Sequence, residues 1–142
     1  MKIVKEVLAE KGADVWSIAP DATVYHALEL IAEKDIGALL VLDAGRVVGL
    51  FTERDYARKV ILAGRASRET SVRDVMTTRV IGVRSDQSID DCMALMTDKR
   101  IRHLPVMDGD ELKGMVSIGD LVKSKIEQQQ FMIDQLETYI SG

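Results

Sequence analysis

Apolar residues along this chain fall into short runs that switch between two periods. The segment 15–18 is apolar and stops at Ala19-Pro20-Asp21, where proline ends strand pairing. Thr23 then precedes Val24, Ala27, Leu28, Ile31 and Ala32, which recur at helical spacing, so a helix capped by Thr23 is predicted. Residues 38–42 and 46–51 are apolar and β-rich, and Asp43-Ala44-Gly45 between them predicts a hairpin. Thr52 offers the cap of a second helix running to about Ala63, with Gly64 as its stop. The same order then returns: a strand over 80–83, a helix over 88–99, a hairpin around Asp108-Gly109-Asp110, and a helix from Ser117 to about Tyr139. The first twelve residues read as a further, charged helix.

The return is an internal duplication. Shifting the chain by 65 positions aligns 15–61 with 80–126 without a gap and gives eleven identical pairs, among them Asp21/Asp86, Leu39/Leu104, Gly49/Gly114 and Asp55/Asp120. Other pairs keep their chemical character, as in Thr23/Ser88, Leu28/Met93 and Thr52/Ser117. The predicted class is α/β, of the α+β type: two β-α-β-β-α repeats with flanking N- and C-terminal helices. One repeat has too little core to stand alone, so two packed face to face form the natural minimum. The expected organisation is one module over 1–142, with repeats at 14–64 and 71–126 and a helical extension at 127–142. The polar, basic stretch 64–70 is the connector.

Both repeats carry the form Gly-apolar-apolar-Thr/Ser-x-x-Asp, at Gly49 to Asp55 and Gly114 to Asp120. Here the glycine is expected to end a strand and the hydroxyl to start a helix, with the aspartate one turn in. Unpaired backbone N–H groups at such a start suit a phosphate, and the Thr52 or Ser117 hydroxyl adds a donor. An ionised Asp55 or Asp120 can accept from both hydroxyls of a ribose. Equally, Thr-x-x-Asp can close a helix start as a capping box with no ligand at all.

With these motifs, with Asp74-Val75-Met76-Thr77 before the second repeat, and with His103-Leu104-Pro105-Val106-Met107-Asp108 inside it, the chain resembles a cystathionine β-synthase (CBS) domain pair, a Bateman module. The likeness covers roughly 14–125. It implies two repeats packed about a pseudo-twofold axis with two related clefts. One cleft would join Thr52 and Asp55 with Thr77, Arg79, Val80 and Ile81, plus Arg102 and His103. The other would join Ser117 and Asp120 with Lys11, Asp14, Val15 and Trp16, plus Gly37 and Ala38. Trp16 reads either as core packing or as a stacking surface for adenine. The implied ligand is an adenine nucleotide, AMP first, with ATP, ADP, NAD(H) or S-adenosylmethionine as candidates. The implied role is regulatory, acting on an unknown effector protein in trans. The alternative is a dimerisation scaffold whose clefts are empty or vestigial.

Composition narrows the classes. A hydrophobic content of 46% with 30% charged residues is ordinary for a globular protein. A net charge of -4 and a pI near 5.2 oppose nucleic-acid binding, which needs a basic face. No apolar run approaches the roughly 20 residues of a membrane span, and the start is unlike a signal peptide, so no membrane association and a cytoplasmic location are expected. The single Cys92 lies at helical spacing with Ile89, Met93 and Met96, as a core thiol in a reducing compartment. No zinc-ligand cluster or Walker loop occurs, and neither His26 nor His103 has an evident nucleophile or metal partner. The expectation is therefore a binding module that is not an enzyme, with no catalytic residue, catalytic cofactor or metal. Finally, Val122, Ile126, Gln129, Ile133, Leu136 and Ile140 follow a 4-3 spacing along the last helix, which predicts a homodimer seam. Family members also pair into disc-like dimers.

Overall fold

The computed structural model describes residues 1–141. Gly142, the last residue of the expected extension, lies outside the described residues. The chain forms two compact units: one is Val15–Val80, and the other combines residues 1–14 with 81–141.

In the unit Val15–Val80, β1 (Ser17–Ile18) pairs parallel with β2 (Ala38–Asp43), which pairs antiparallel with β3 (Arg46–Thr52). Helix α2 (Val24–Lys34) lies between β1 and β2 in sequence, and Thr23 Oγ1 caps it by accepting the His26 N–H at 3.1 Å. Its buried face, Val24, Ala27 and Ile31, joins Leu39, Val41, Phe51 and Val60 in one apolar cluster. The segment after β3 departs from the expected single helix to Ala63. A three-residue α-turn, α3 (Glu53–Asp55), passes into a π-helical stretch over Tyr56–Ile61. There Leu62 N–H reaches Ala57 O and Arg65 N–H reaches Val60 O. Gly64, at φ +72°, stands at the expected stop. A 3₁₀ turn (Ser67–Glu69) and α4 (Val72–Val75) complete the unit.

In the other unit, α1 (Val4–Lys11) packs with α5 (Ile89–Lys99), β4 (His103–Asp108), β5 (Glu111–Ser117) and α6 (Ile118–Ser141). Val4, Val7 and Leu8 of α1 are buried in the cluster of Cys92, Leu104, Val116 and Leu121. Cys92 is thus a core thiol; burial, aided by the Asp91 carboxylate, pushes its pKa up to about 11. The strand expected over 80–83 does not form; only Val83 makes a parallel bridge, to Val106. The reason is Pro105. In the first repeat Leu40 N–H donates to Trp16 O at 3.2 Å, and Pro105, its counterpart, has no N–H to give to Ile81.

Each leading segment packs with the repeat it does not lead. Helix α1 precedes the first repeat but joins the second, and α4 precedes the second but joins the first. Both hairpins carry the same irregularity, between Val41 and Leu42 and between Val106 and Met107. Their two-residue turns differ. Ala44 and Gly45 both take positive φ, 51° and 80°, whereas in the second hairpin only Gly109 does. Alanine in the left-handed region costs about 1 kcal/mol, and asparagine tolerates it better. Ala44→Asn should therefore stabilise the protein by roughly 0.5–1 kcal/mol, read as a rise in denaturant midpoint at constant slope.

Candidate functional site

Both Thr/Ser-x-x-Asp motifs close as capping boxes. Thr52 Oγ1 accepts the Asp55 N–H at 3.1 Å, and Asp55 Oδ2 accepts the Thr52 N–H at 3.0 Å. Ser117 Oγ accepts the Asp120 N–H at 3.1 Å, and Asp120 Oδ2 accepts the Ser117 N–H at 2.8 Å. The first helical N–H is engaged as well: Glu53 donates to Gly37 O at 3.1 Å and Ile118 to Arg102 O at 2.9 Å. With the first and third N–H groups taken, these helix starts offer a phosphate less than the motif alone suggests.

What distinguishes the two motifs is what reaches the aspartate from the leading segment. In the unit Val15–Val80, Thr77 Oγ1 donates to Asp55 Oδ1 at 3.0 Å, and Lys59 Nζ lies 3.0 Å from the same oxygen. Asp55 is buried, and Thr52 Oγ1 adds a fourth donor at 3.1 Å. In the other unit, Lys11 Nζ donates to Asp120 Oδ2 at 2.6 Å and to Met115 O at 2.8 Å. Burial opposes ionisation of Asp120, but the Lys11 ammonium and the Ser117 hydrogen bonds outweigh it and hold the carboxyl below its ordinary value. Asp120 keeps a quarter of its side chain exposed, against 7% for Asp55. It is the more accessible carboxylate of the two.

The motif glycines have a role that spacing does not reveal. Gly49 and Gly114 lie inside β3 and β5, not at strand ends. A Cβ on Gly49 would lie 2.6 Å from Met76 Sδ and 3.0 Å from Thr77 O; one on Gly114 would lie 2.8 Å from Leu8 Cδ2. Each glycine lets a leading segment approach the motif strand closely. Beside Gly49, Leu50 and Thr77 exchange both backbone hydrogen bonds, at 2.9 and 2.8 Å. This contact aims the Thr77 hydroxyl at Asp55.

The remaining expected residues divide between the units. Arg79 is exposed and Val80 half-buried at the end of the unit Val15–Val80. Val15 is half-buried in that unit, Ala38 pairs with Thr52, and Gly37 holds the start of α3 through its carbonyl. Trp16 is exposed rather than in the core, with Lys34 Nζ 4.3 Å from its ring centroid. Asp14 is exposed, and Ile81 packs at the edge of the cluster containing Leu104. Arg102 and His103 sit beside Ser117, holding Ile118 and pairing with Ser117 as Gly37 and Ala38 do for Thr52. An open groove of about 610 Å³ lies beside α3, lined by Leu28, Ile31, Ile36, Gly37, Glu53 and Tyr56 among others. Of the expected site residues it includes only Gly37.

His103 has its pKa lowered, first by burial, with the Asp120 carboxylate opposing and Lys11 and Arg102 assisting. The imidazole therefore stays neutral below roughly pH 6.5, where the unfolded chain already takes up a proton. Stability should fall as pH drops below that value. A further loss should come near and below pH 4, as Asp120 protonates and loses its ion pair. In thermal melts across this range, His103→Gln should remove the upper part of the decline and leave the lower. The same lowering makes a cationic His103 a poor phosphate contact at neutral pH.

Among the described residues no helix is long and apolar enough to cross a membrane, and no group of three or more His, Cys, Asp and Glu could hold a metal ion. The CBS domain model matches residues 4–61 and again 72–127. The chain is 39% identical to the mitochondrial CBS domain-containing protein CBSX3 of Arabidopsis thaliana, over 98% of this chain and 72% of that protein. It is 30% identical to the CBS domain-containing protein YhcV of Bacillus subtilis, over 91% and 89% of the two chains. The solved structure of a candidate signal-transduction protein with CBS domains from Burkholderia ambifaria superposes with a TM-score of 0.88 at 50% identity, covering 90% of this chain and 96% of that one.

Proposed function

This chain belongs to the CBS domain family, with two such domains in tandem, and from that premise we propose that it is a regulatory module that binds an adenine nucleotide, AMP first. One observation carries the reading: each unit builds the same capped Thr/Ser-x-x-Asp carboxylate and brings a polar side chain from a leading segment onto it. An ionised, positioned carboxylate can accept both hydroxyls of a ribose, and Thr77 or Lys11 can turn to a ligand oxygen when it does. A ligand that prefers one arrangement of these segments shifts the population toward it, and an effector protein in trans reads the change. The CBS domain pair of protein MJ0100, 22% identical, was solved with 5'-methylthioadenosine and S-adenosyl-L-methionine; at that identity it speaks for the fold alone. This reading includes a homodimer, supported by the exposed apolar stripe of α6, and a cytoplasmic location, with no catalysis.

A second reading, a dimerisation scaffold, draws support from Asp55, whose oxygens are already met by four donors. Thermal shift against AMP, ADP, ATP, NAD(H), S-adenosylmethionine and adenosine separates the two. A true ligand at about 100 times its Kd adds about 2.7 kcal/mol of stability. No shift with any of them would leave the scaffold reading standing.

A further inference from the structure

Helix α6 runs for 24 residues, but its inward face is short. Leu121 and Ser124 are buried and Gln128 half-buried; every described residue from Gln129 on is exposed. Among the described residues the stripe on the other face stays largely uncovered: Val122 is 39% exposed, Ile126 60%, Ile133 47%, Leu136 60% and Ile140 81%. A projecting stretch of about a dozen residues is marginal as an isolated helix in water, so its apolar stripe calls for a partner.

The register of that stripe says what the partner is. Numbered as heptads, Ile126, Ile133 and Ile140 occupy a, while Val122, Gln129 and Leu136 occupy d. Such a repeat is self-complementary, and charge decides the direction. The basic residues Lys123 and Lys125 lie at the near end of the stripe, and the acidic Asp134 and Glu137 at the far end. Lys125 already pairs with Asp90 at 2.9 Å, whereas Lys123 and Glu137 form no ion pair among the described residues.

Resting on the homodimer reading, we infer that α6 pairs with α6 of a second copy as an antiparallel two-stranded coiled coil. Ile126 then packs on Leu136 of the partner subunit, Ile133 on Gln129 of the partner subunit, and Ile140 on Val122 of the partner subunit. The e positions bring Lys123 against Glu137 of the partner subunit, twice per dimer, and the two helix dipoles oppose. A parallel pair would instead place the two lysine ends together and the two acidic ends together, and would leave Glu137 beside Met132 of the partner subunit. The polar Gln129 fits the antiparallel register too. The two copies fall on neighbouring layers about 6 Å apart along the axis, within reach of each other's amides.

The test uses the full chain with single cysteines at exposed positions, Ile126→Cys and Leu136→Cys, co-expressed with one carrying a mass tag. The native Cys92 is buried with a raised pKa, so it stays out of the exchange. Mild oxidation should give a disulfide between the two variants and none within either, since like positions lie about 15 Å apart along an antiparallel axis. Self-linking of each variant would mean parallel helices and overturn the inference. A dimer by light scattering without any disulfide would move the contact off α6, overturning the inference while leaving the homodimer reading intact. A monomer at micromolar concentration would overturn both.

Discussion

Asp55→Ala should destabilise the protein by about 2–4 kcal/mol and weaken nucleotide binding at least tenfold. The buried carboxylate holds the Thr52 N–H, the Thr52 and Thr77 hydroxyls and the Lys59 ammonium. Deleting it leaves the half-buried Thr52 and Thr77 donors unpaired, which costs more than the loss of one helix cap, while Lys59, 45% exposed, can turn to solvent. Motif spacing alone suggests a smaller effect on folding, because it shows the capping box and not Thr77 or Lys59. Asp120→Ala should behave differently. Its carboxylate is more exposed and its strongest partner, Lys11, can turn to solvent, so the stability loss should stay near 1 kcal/mol while binding drops by the same tenfold or more. Calorimetric titration with AMP, paired with urea unfolding of each variant, reads both quantities. Unchanged affinity in both variants would remove the ribose assignment whatever happens to stability.

Gly49→Val should cost about 3–5 kcal/mol, through overpacking and the loss of the hydrogen bonds around Thr77. The new Cβ meets the Thr77 carbonyl as well as Met76, and a backbone atom cannot swing away as a side chain can. Moving the 76–77 segment breaks the paired Leu50–Thr77 hydrogen bonds and carries the Thr77 hydroxyl off Asp55. Gly114→Val meets only the flexible end of Leu8, so its cost should be clearly smaller. Denaturant midpoints of the two variants give the comparison directly. Equal losses would show that the close approach at Gly49 has no special weight.

The duplication, the order of elements, the caps at Thr23 and Thr52, the helix start at Ser117 and the two motif aspartates are all legible in the chain alone. These are local matters: hydrophobic period, cap chemistry and turn residues act within a few positions and repeat in both halves. The strand expected over 80–83 is a miss of hydrophobic patterning, which does not register the absent N–H of Pro105 on the neighbouring strand. Packing between distant parts of the chain set the rest. It sent α1 to the second repeat and α4 to the first, because Val4, Val7 and Leu8, like Val72 and Val75, find their buried apolar surface there. That choice delivered Thr77 to Asp55 and Lys11 to Asp120, made Gly49 and Gly114 points of close approach, and left one carboxylate closed and the other accessible. It also opened a π-helical stretch after Asp55 where α6 runs on regularly after Asp120. Hydrophobic period alone does not separate an α-turn from a π-turn, because both can bury the same Val60.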